Sequence, residues 1–457
     1  MERIFAKGAE IPGAFGRTFQ CLMDHTVGSA LAPSDGYRSK TGRCGAPARI
    51  AGVGTVSNFN KLWLGQTISL LGSAMTQFAL PTLAVLVLHA TPVQLGTLIA
   101  LETLPFPILG MIVGVVVDRL SRRQIMIAAD LIRFAVLVSV PIAALSRVLG
   151  MPQLYAVALL SGTASAFFGI AYQSYLPALV PAERLTDANA KLEFSNSGAA
   201  MAGMAAAGIL VQFVGAAFAI AADAVSYLAS VASLLTIRAP EDRSAKPSLS
   251  LRQAVREIGE GLRVVFGSND LRWILCATAT TNFGGAMIMA VFFIYAYRGL
   301  HLQPGILGVV DGFANVGFVG ALFAVRIRNR YGLRATLAGS LLVAGAGSMA
   351  ILLAGVAVPY AVLFVQGAML AIAVPIYNIN QVSYRQALVD ARLQGRMNAT
   401  MRAFVWGTMP LGSLVGGWLG GVAGAPATIA AGALLSCAAA VFVLPLKERY
   451  PLGKNAG

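Results

Sequence analysis

Residues 335–384 read ATLAGSLLVAGAGSMAILLAGVAVPYAVLFVQGAMLAIAVPIYNINQVSY and contain no Asp, Glu, Lys or Arg. A helix crossing about 30 Å of hydrocarbon needs about 20 mostly apolar residues, so this run holds two spans, parted near Pro359. Outward from it the pattern repeats. Residues 403–446 are also uncharged and divide near Pro426, while 194–237 divide near Gly215 with Asp223 as the one charge after that segment's start. Further spans fall at 62–88, 93–117, 124–145, 153–175, 273–297 and 305–325, which makes twelve. The whole chain agrees: of its 457 residues 57% are hydrophobic and only 12% charged, with a mean hydropathy of +0.72. A soluble domain carries about 25% charged residues, so a water-facing surface of ordinary size is excluded.

The net charge of +15 raises the question of nucleic acid, and the positions of the charges answer it. Beyond residue 56, only Arg147 and Arg298 among the Lys and Arg residues fall in loops after odd-numbered spans. Basic residues stay on the cytoplasmic side of a membrane. Both termini and the even-numbered loops are therefore expected in the cytoplasm, and the basic excess is topology rather than a nucleic-acid surface. Cys21, Cys44, Cys276 and Cys437 form no CxxC pair, and His25, His89 and His301 are scattered, so neither a metal site nor a cofactor is expected. No nucleophile–base constellation or GxxxxGK[ST] loop is present, which argues against an enzyme and against ATP as energy source.

The expected fold is an all-α membrane protein of twelve transmembrane helices in two six-helix bundles. Residues 58–237 form the first bundle and 272–446 the second, followed by a tail, 447–457. Between them, 238–271 is a cytoplasmic linker. Leu251, Val255, Ile258, Leu262 and Val265 recur there at spacings of 4 and 3, an amphipathic helix expected to lie on the inner membrane surface. Residues 1–57, rich in Gly, Ala, Pro and Ser with no apolar core, are expected to be a disordered extension or the product of a start codon assigned too early, not a signal peptide.

The halves echo each other. Gly114-Val-Val-Val-Asp118-Arg119-Leu-Ser-Arg122-Arg123 leads from the second span to the third, and Gly320 to Arg330 repeats its spacing after the eighth, with Ala324 in place of the acid and Arg328 retained. Asn189-Ala190 after span four is matched by Asn398-Ala399 after span ten. A half-length repeat argues for two similar bundles around a central site.

On these residues the chain resembles the major facilitator superfamily over roughly residues 58–450. FNKLWLGQTISLLGSAMTQFALP, DRLSRRQIMIAADLIR and YLPALVPAERLTDANAKLE resemble more narrowly the bacterial exporters that include enterobactin and macrolide efflux proteins. The resemblance implies secondary active transport of a small molecule, most often outward and proton-driven, with the chain acting as a monomer. It implies that Gly114, Asp118, Arg119, Arg122 and Arg123 form a cytoplasmic latch, with Asp118 held near the start of helix eleven. Asp130 and Arg133, three apart, can pair with each other or with that loop. Two departures weigh the other way: span four contains no basic residue, and span five reads AAMAGMAAAGIL without a Gly-Pro step. An importer or uniporter, or a membrane sensor or scaffold, therefore remain as alternatives.

Three acids fall inside spans. Glu102 lies about 14 Å deep at 1.5 Å per residue, near mid-membrane, with no basic residue in its own span. Asp311 and Asp223 follow. A carboxylate facing lipid costs several kcal/mol, so each is expected to face the bundle interior or carry a proton. Glu102 is the preferred proton carrier, with Asp311 as an outer-vestibule acid and Asp223 as a helix–helix hydrogen bond their plainer alternatives. Asn282, Phe283, Asn315 and Trp406 are candidate cavity residues. Gly412, Gly416, Gly420 and Gly424, at spacings of four, are expected on one packing face.

Overall fold

The structure, a computed structural model, describes residues 52–109, 113, 117, 120–238, 251–314 and 318–447. Among them are fourteen α-helices and no strand: α1 Gly52–Leu86, α2 Pro92–Thr103, α3 Arg122–Leu145, α4 Met151–Leu179, α5 Leu185–Phe213, α6 Ala216–Thr236, α7 Leu251–Gly267, α8 Asn269–Ile294, α9 Pro304–Ala314, α10 Phe318–Tyr331, α11 Leu333–Ala350, α12 Pro359–Leu388, α13 Ala391–Val422 and α14 Ala425–Ala438. Ten helical stretches are long and apolar enough to cross a membrane. Their outward faces carry Leu145, Phe213 and Val441 at 62–79% exposure, apolar surface of the kind that a bilayer covers favourably.

Local chemistry explains where the helices stop. Gly215, Gly332 and Gly424 precede α6, α11 and α14 with φ of +104°, +81° and +85°, a backbone that only glycine adopts without strain. Thr91 caps α2 reciprocally with Gln94, and Pro92 occupies the first turn, where its missing N–H costs nothing. Pro105 and Pro107 interrupt α2 just past Glu102, leaving a turn at Leu104 before helix resumes to Leu109.

Each half packs largely on itself, α1 to α6 in one and α8 to α14 in the other. The halves meet where helices cross on glycine. At the α2–α13 crossing, a Cβ on Gly417 would come within 2.7 Å of the Pro92 carbonyl. At the α5–α9 crossing, a Cβ on Gly208 would come within 2.6 Å of the Pro304 carbonyl. Both lie at the end far from α7. There too Phe78 stacks edge-on against Phe293 at 5.6 Å, Thr82 shares a 3.0 Å hydrogen bond with the Tyr297 hydroxyl, and Arg298 donates to the Val85 carbonyl.

Three expectations change. The first helix begins at Gly52, before the expected boundary at residue 58, while 1–51 and 448–457 lie outside the described residues. The linker helix packs on protein: Val265 is fully buried, Gly261 is close against Thr400 and Arg396, and Arg396 pairs with Glu257 and Glu260. At Val265 the amphipathic stripe is thus taken up by protein, while the side chains of Leu251 and Val255 lie outside the described residues. The glycine series also divides. Gly412, Gly416 and Gly420 seat α8 within their own half, against Phe283, Met287 and Val291, whereas Gly424 lies beyond the helix as its positive-φ stop. The inter-half contact centres on Gly417 and Ser413, one residue round the helix, and Gly420 joins it, since a Cβ there would also stand 3.0 Å from Pro92 Cβ.

Candidate functional site

The proline-broken turn of α2 places Glu102 at the wall of a cavity of about 280 Å³ between α1, α2, α4 and α5. Gly162 allows this: its missing Cβ would stand 2.2 Å from the Glu102 carbonyl, so α4 presses directly on the Glu102 backbone. Ser73, Gln77, Ser161, Ser165 and Asn196 line the same cavity with neutral polar groups. None of the ion pairs among the described residues involves Glu102.

Phe106 joins this cavity to a second of about 430 Å³, which opens between the halves toward the end that carries α7. Its walls are mostly apolar, with Pro107, Ile170 and Trp406, and polar groups enter from Gln173, Asn398 and Arg402. Phe106 meets Trp406 edge to face across the two halves at 5.4 Å, and the Arg402 guanidinium lies 5.5 Å from the Trp406 ring centre. The combined space thus has an acid deep in the first half, an aromatic pair in the middle and a cation near its mouth. Such a space suits a molecule with an apolar body and few polar groups.

The other candidates separate. Gly114, Asp118, Arg119 and Asn315 lie outside the described residues. Arg122 opens α3, and Arg123 donates to the carbonyls of Leu234 and Leu235 at 2.7 and 2.8 Å, capping the C-terminal end of α6 as a cation favoured by the helix dipole. Asp130 and Arg133 pair with each other, but inside the bundle rather than at its surface loop. Of the two pairings expected of them, the one with each other is therefore present: Asp130 is fully buried against α6 and Arg133 lies between the rings of Phe168 and Tyr227. Asp223 is fully buried and accepts from Ser226 at 3.1 Å; Asp311, partly buried on α9, lies close to Tyr297 of the far-end contact. Trp406 lines the larger cavity, whereas Asn282 and Phe283 line neither, the Phe283 backbone being packed on Gly412.

Arg402 and Phe106 went unnoticed in the sequence. Arg402 sits one helical turn before Trp406 at the head of an uncharged run, which was the available signal. Phe106 had none, since its place follows from the broken turn. Gln173 of α4 also reaches the cavity, whereas on α12 Tyr377 bonds Thr278 and Asn380 bonds the Ala324 and Ile376 carbonyls.

A family profile described as transmembrane secretion effector matches residues 54–453. Macrolide efflux protein A of Streptococcus pyogenes is 24% identical over 78% of this chain and 88% of its own length. The multidrug efflux pump Tap of Mycobacterium tuberculosis is 27% identical over 77% of this chain and 85% of its own. The crystal structure of a bacterial homologue of the iron transporter ferroportin, inward-facing, superposes with a TM-score of 0.70 at 15% identity over 86% of this chain and 99% of that one. The fold agrees with the family match, and this chain belongs to the transmembrane secretion effector family of the major facilitator superfamily, a family of multi-pass transporters rather than enzymes.

Proposed function

We propose that the protein is a proton-coupled exporter of small hydrophobic or amphipathic molecules, acting as a monomer in the bacterial inner membrane by alternating access. One observation carries this: the halves are closed on each other at the far end, while the cavity between them opens toward the end that carries α7 and leads to Glu102. The positive-inside pattern makes the α7 end cytoplasmic, with both termini there. In that frame the cavity is poised to load from the cytoplasm or inner leaflet. On this reading there are twelve spans, with α9 and α10 as two parts of the eighth and α13 as the eleventh. They divide into bundles at 58–237 and 272–446 about the 238–271 linker. Efflux as the direction, and drug-like molecules as the cargo, are supported by the names of the macrolide and multidrug relatives. Glu102 is the coupling group, since a carboxyl without a cation can exchange a proton for a ligand in the same space.

The test uses inside-out vesicles with an acidic lumen and a pH-sensitive dye, challenged with erythromycin, ethidium and a siderophore-like catecholate. Collapse of the gradient by at least one compound in wild type, reduced at least tenfold in Glu102→Gln, is the expected result. Collapse in both proteins moves coupling away from Glu102. A folded wild type that binds these compounds but leaves the gradient intact sinks proton-coupled export in favour of uniport, import or sensing.

A further inference from the structure

Behind the wall of the Glu102 cavity, the first half encloses three charged side chains. Asp130 and Asp223 are fully buried and Arg133 is 6% exposed. Arg133 pairs with Asp130, its guanidinium held 4.5 Å from the Phe168 ring of α4 and 4.3 Å from the Tyr227 ring of α6. Thr76 of α1 and the Tyr227 hydroxyl flank Asp223, and Ser230 faces Asp130. The charged and titratable groups around Asp223 are therefore Arg133 and Asp130 from α3 and Tyr227 from its own helix, and α1 adds only hydroxyls. On each aspartate Oδ2 is buried without a hydrogen bond of normal geometry, and the same is true of Thr76 Oγ1 beside Asp223.

One cation with two carboxylates leaves an uncompensated negative charge when both acids are ionised. Dry protein interiors do not hold such a charge without a partner, and a single proton balances it. A route for that proton is built in. The Tyr227 hydroxyl lies 2.9 Å from Ser73 Oγ, and Ser73 lines the cavity that holds Glu102. Ser73 donates its own proton to the Ser69 carbonyl, so Tyr227 is the donor between the two and its oxygen is left to accept from Asp223.

We propose that Asp130, Arg133 and Asp223 together hold one exchangeable proton inside the first half, and that the hydroxyls of Tyr227 and Ser73 pass it to and from the Glu102 cavity. The proposal rests on the proton-coupled reading above and adds a second proton site to it. In the outward step the Asp223 carboxyl proton moves to the Tyr227 oxygen as the Tyr227 proton moves to Ser73. The Ser73 hydroxyl turns from Ser69 and delivers its proton to cavity water or to the Glu102 carboxylate. Every hydroxyl ends neutral, Asp223 ends ionised, and Arg133 then stands between two carboxylates, an imbalance that favours rearrangement of α3 against α6.

Infrared difference spectroscopy of the full chain in proteoliposomes tests the site without a transported compound. Wild type should show a protonated-carboxyl band that survives in Glu102→Gln. In the Glu102→Gln background, where Glu102 adds no carboxyl signal, the band should vanish in both Asp223→Asn and Asp130→Asn, because either change leaves one acid for one base; that balance also favours folding. In Tyr227→Phe and in Ser73→Ala the band should remain, but its shift on transfer into D₂O should slow at least tenfold. A band that persists in both aspartate variants, or is absent from wild type, overturns the site; exchange at the wild-type rate in Tyr227→Phe and Ser73→Ala overturns the route. The vesicle assay separates this from the reading beneath it. Spectra as expected with no gradient collapse leave the proton site standing and remove its part in export.

Discussion

In the first half α3 and α6 bury Asp130, Arg133 and Asp223, whereas α11 and α14, their counterparts in the second half, bury Thr336, Ser340, Thr428 and Ser436. The second set is settled locally, each hydroxyl donating to the carbonyl four residues back at 2.7–3.0 Å. Those helices then pack on small residues, with Gly345 against Cys437 and Gly284 against Gly432. In the first half the same places are joined by charge across helices. One topology therefore accepts either filling. Because buried ion pairs are a poor source of stability, the charged filling is better explained by what it does than by what it holds together. The surfaces where the halves meet show the opposite relation, since both crossings, α2–α13 and α5–α9, are built alike on paired glycines. The asymmetry lies inside the bundles and the symmetry lies at the hinge.

The sharpest way to break this comparison is Arg133→Leu. Two buried carboxylates then lose their cation, and a loss of about 3–5 kcal/mol is expected, measured as a lower thermal midpoint in detergent or a lower level in membranes. Ser340→Ala in the second half should cost about 1 kcal/mol or less, since its hydroxyl serves only its own helix. Equal costs would show that the charges carry no special weight.

A valine at Gly417 meets the Pro92 carbonyl and the Gly96 Cα across the halves, whereas one at Gly412 meets the Phe283 carbonyl within a half. Overpacking of this kind costs about 1–3 kcal/mol. At Gly417 it should be relieved by parting the far ends, visible as a longer distance between spin labels on α2 and α13 with little change in midpoint. At Gly412 it should appear as lost stability with the far-end distance unchanged. The reverse pattern would place the hinge elsewhere. Smallest is Arg396→Ala, which unpairs the linker helix from α13. These groups are about one-third exposed, so solvent screening limits the effect to about 1 kcal/mol or less, read as faster proteolysis of the linker.

Much of this was legible in one dimension. Uncharged runs mark the spans because hydrocarbon tolerates so little charge, and Gly215 marks a break because only glycine adopts its backbone without strain. Glu102 stood out for the same reason as the spans, being an acid where acids are expensive. Asp130 and Arg133 were visible as a pair, but not their burial against Asp223, since distance along α3 does not say which face of it meets α6.

What the sequence determined by itself was therefore whatever depends on composition within about one span: helices, turns and the presence of embedded acids. What only the tertiary structure decided was which distant residues meet. Tyr227 reaches Ser73 across 154 positions, and Phe106 reaches Trp406 from the other half. Gly417 rather than Gly416 faces α2, because one residue turns a helix by about 100° and thereby chooses between a neighbour in the same bundle and the opposing half.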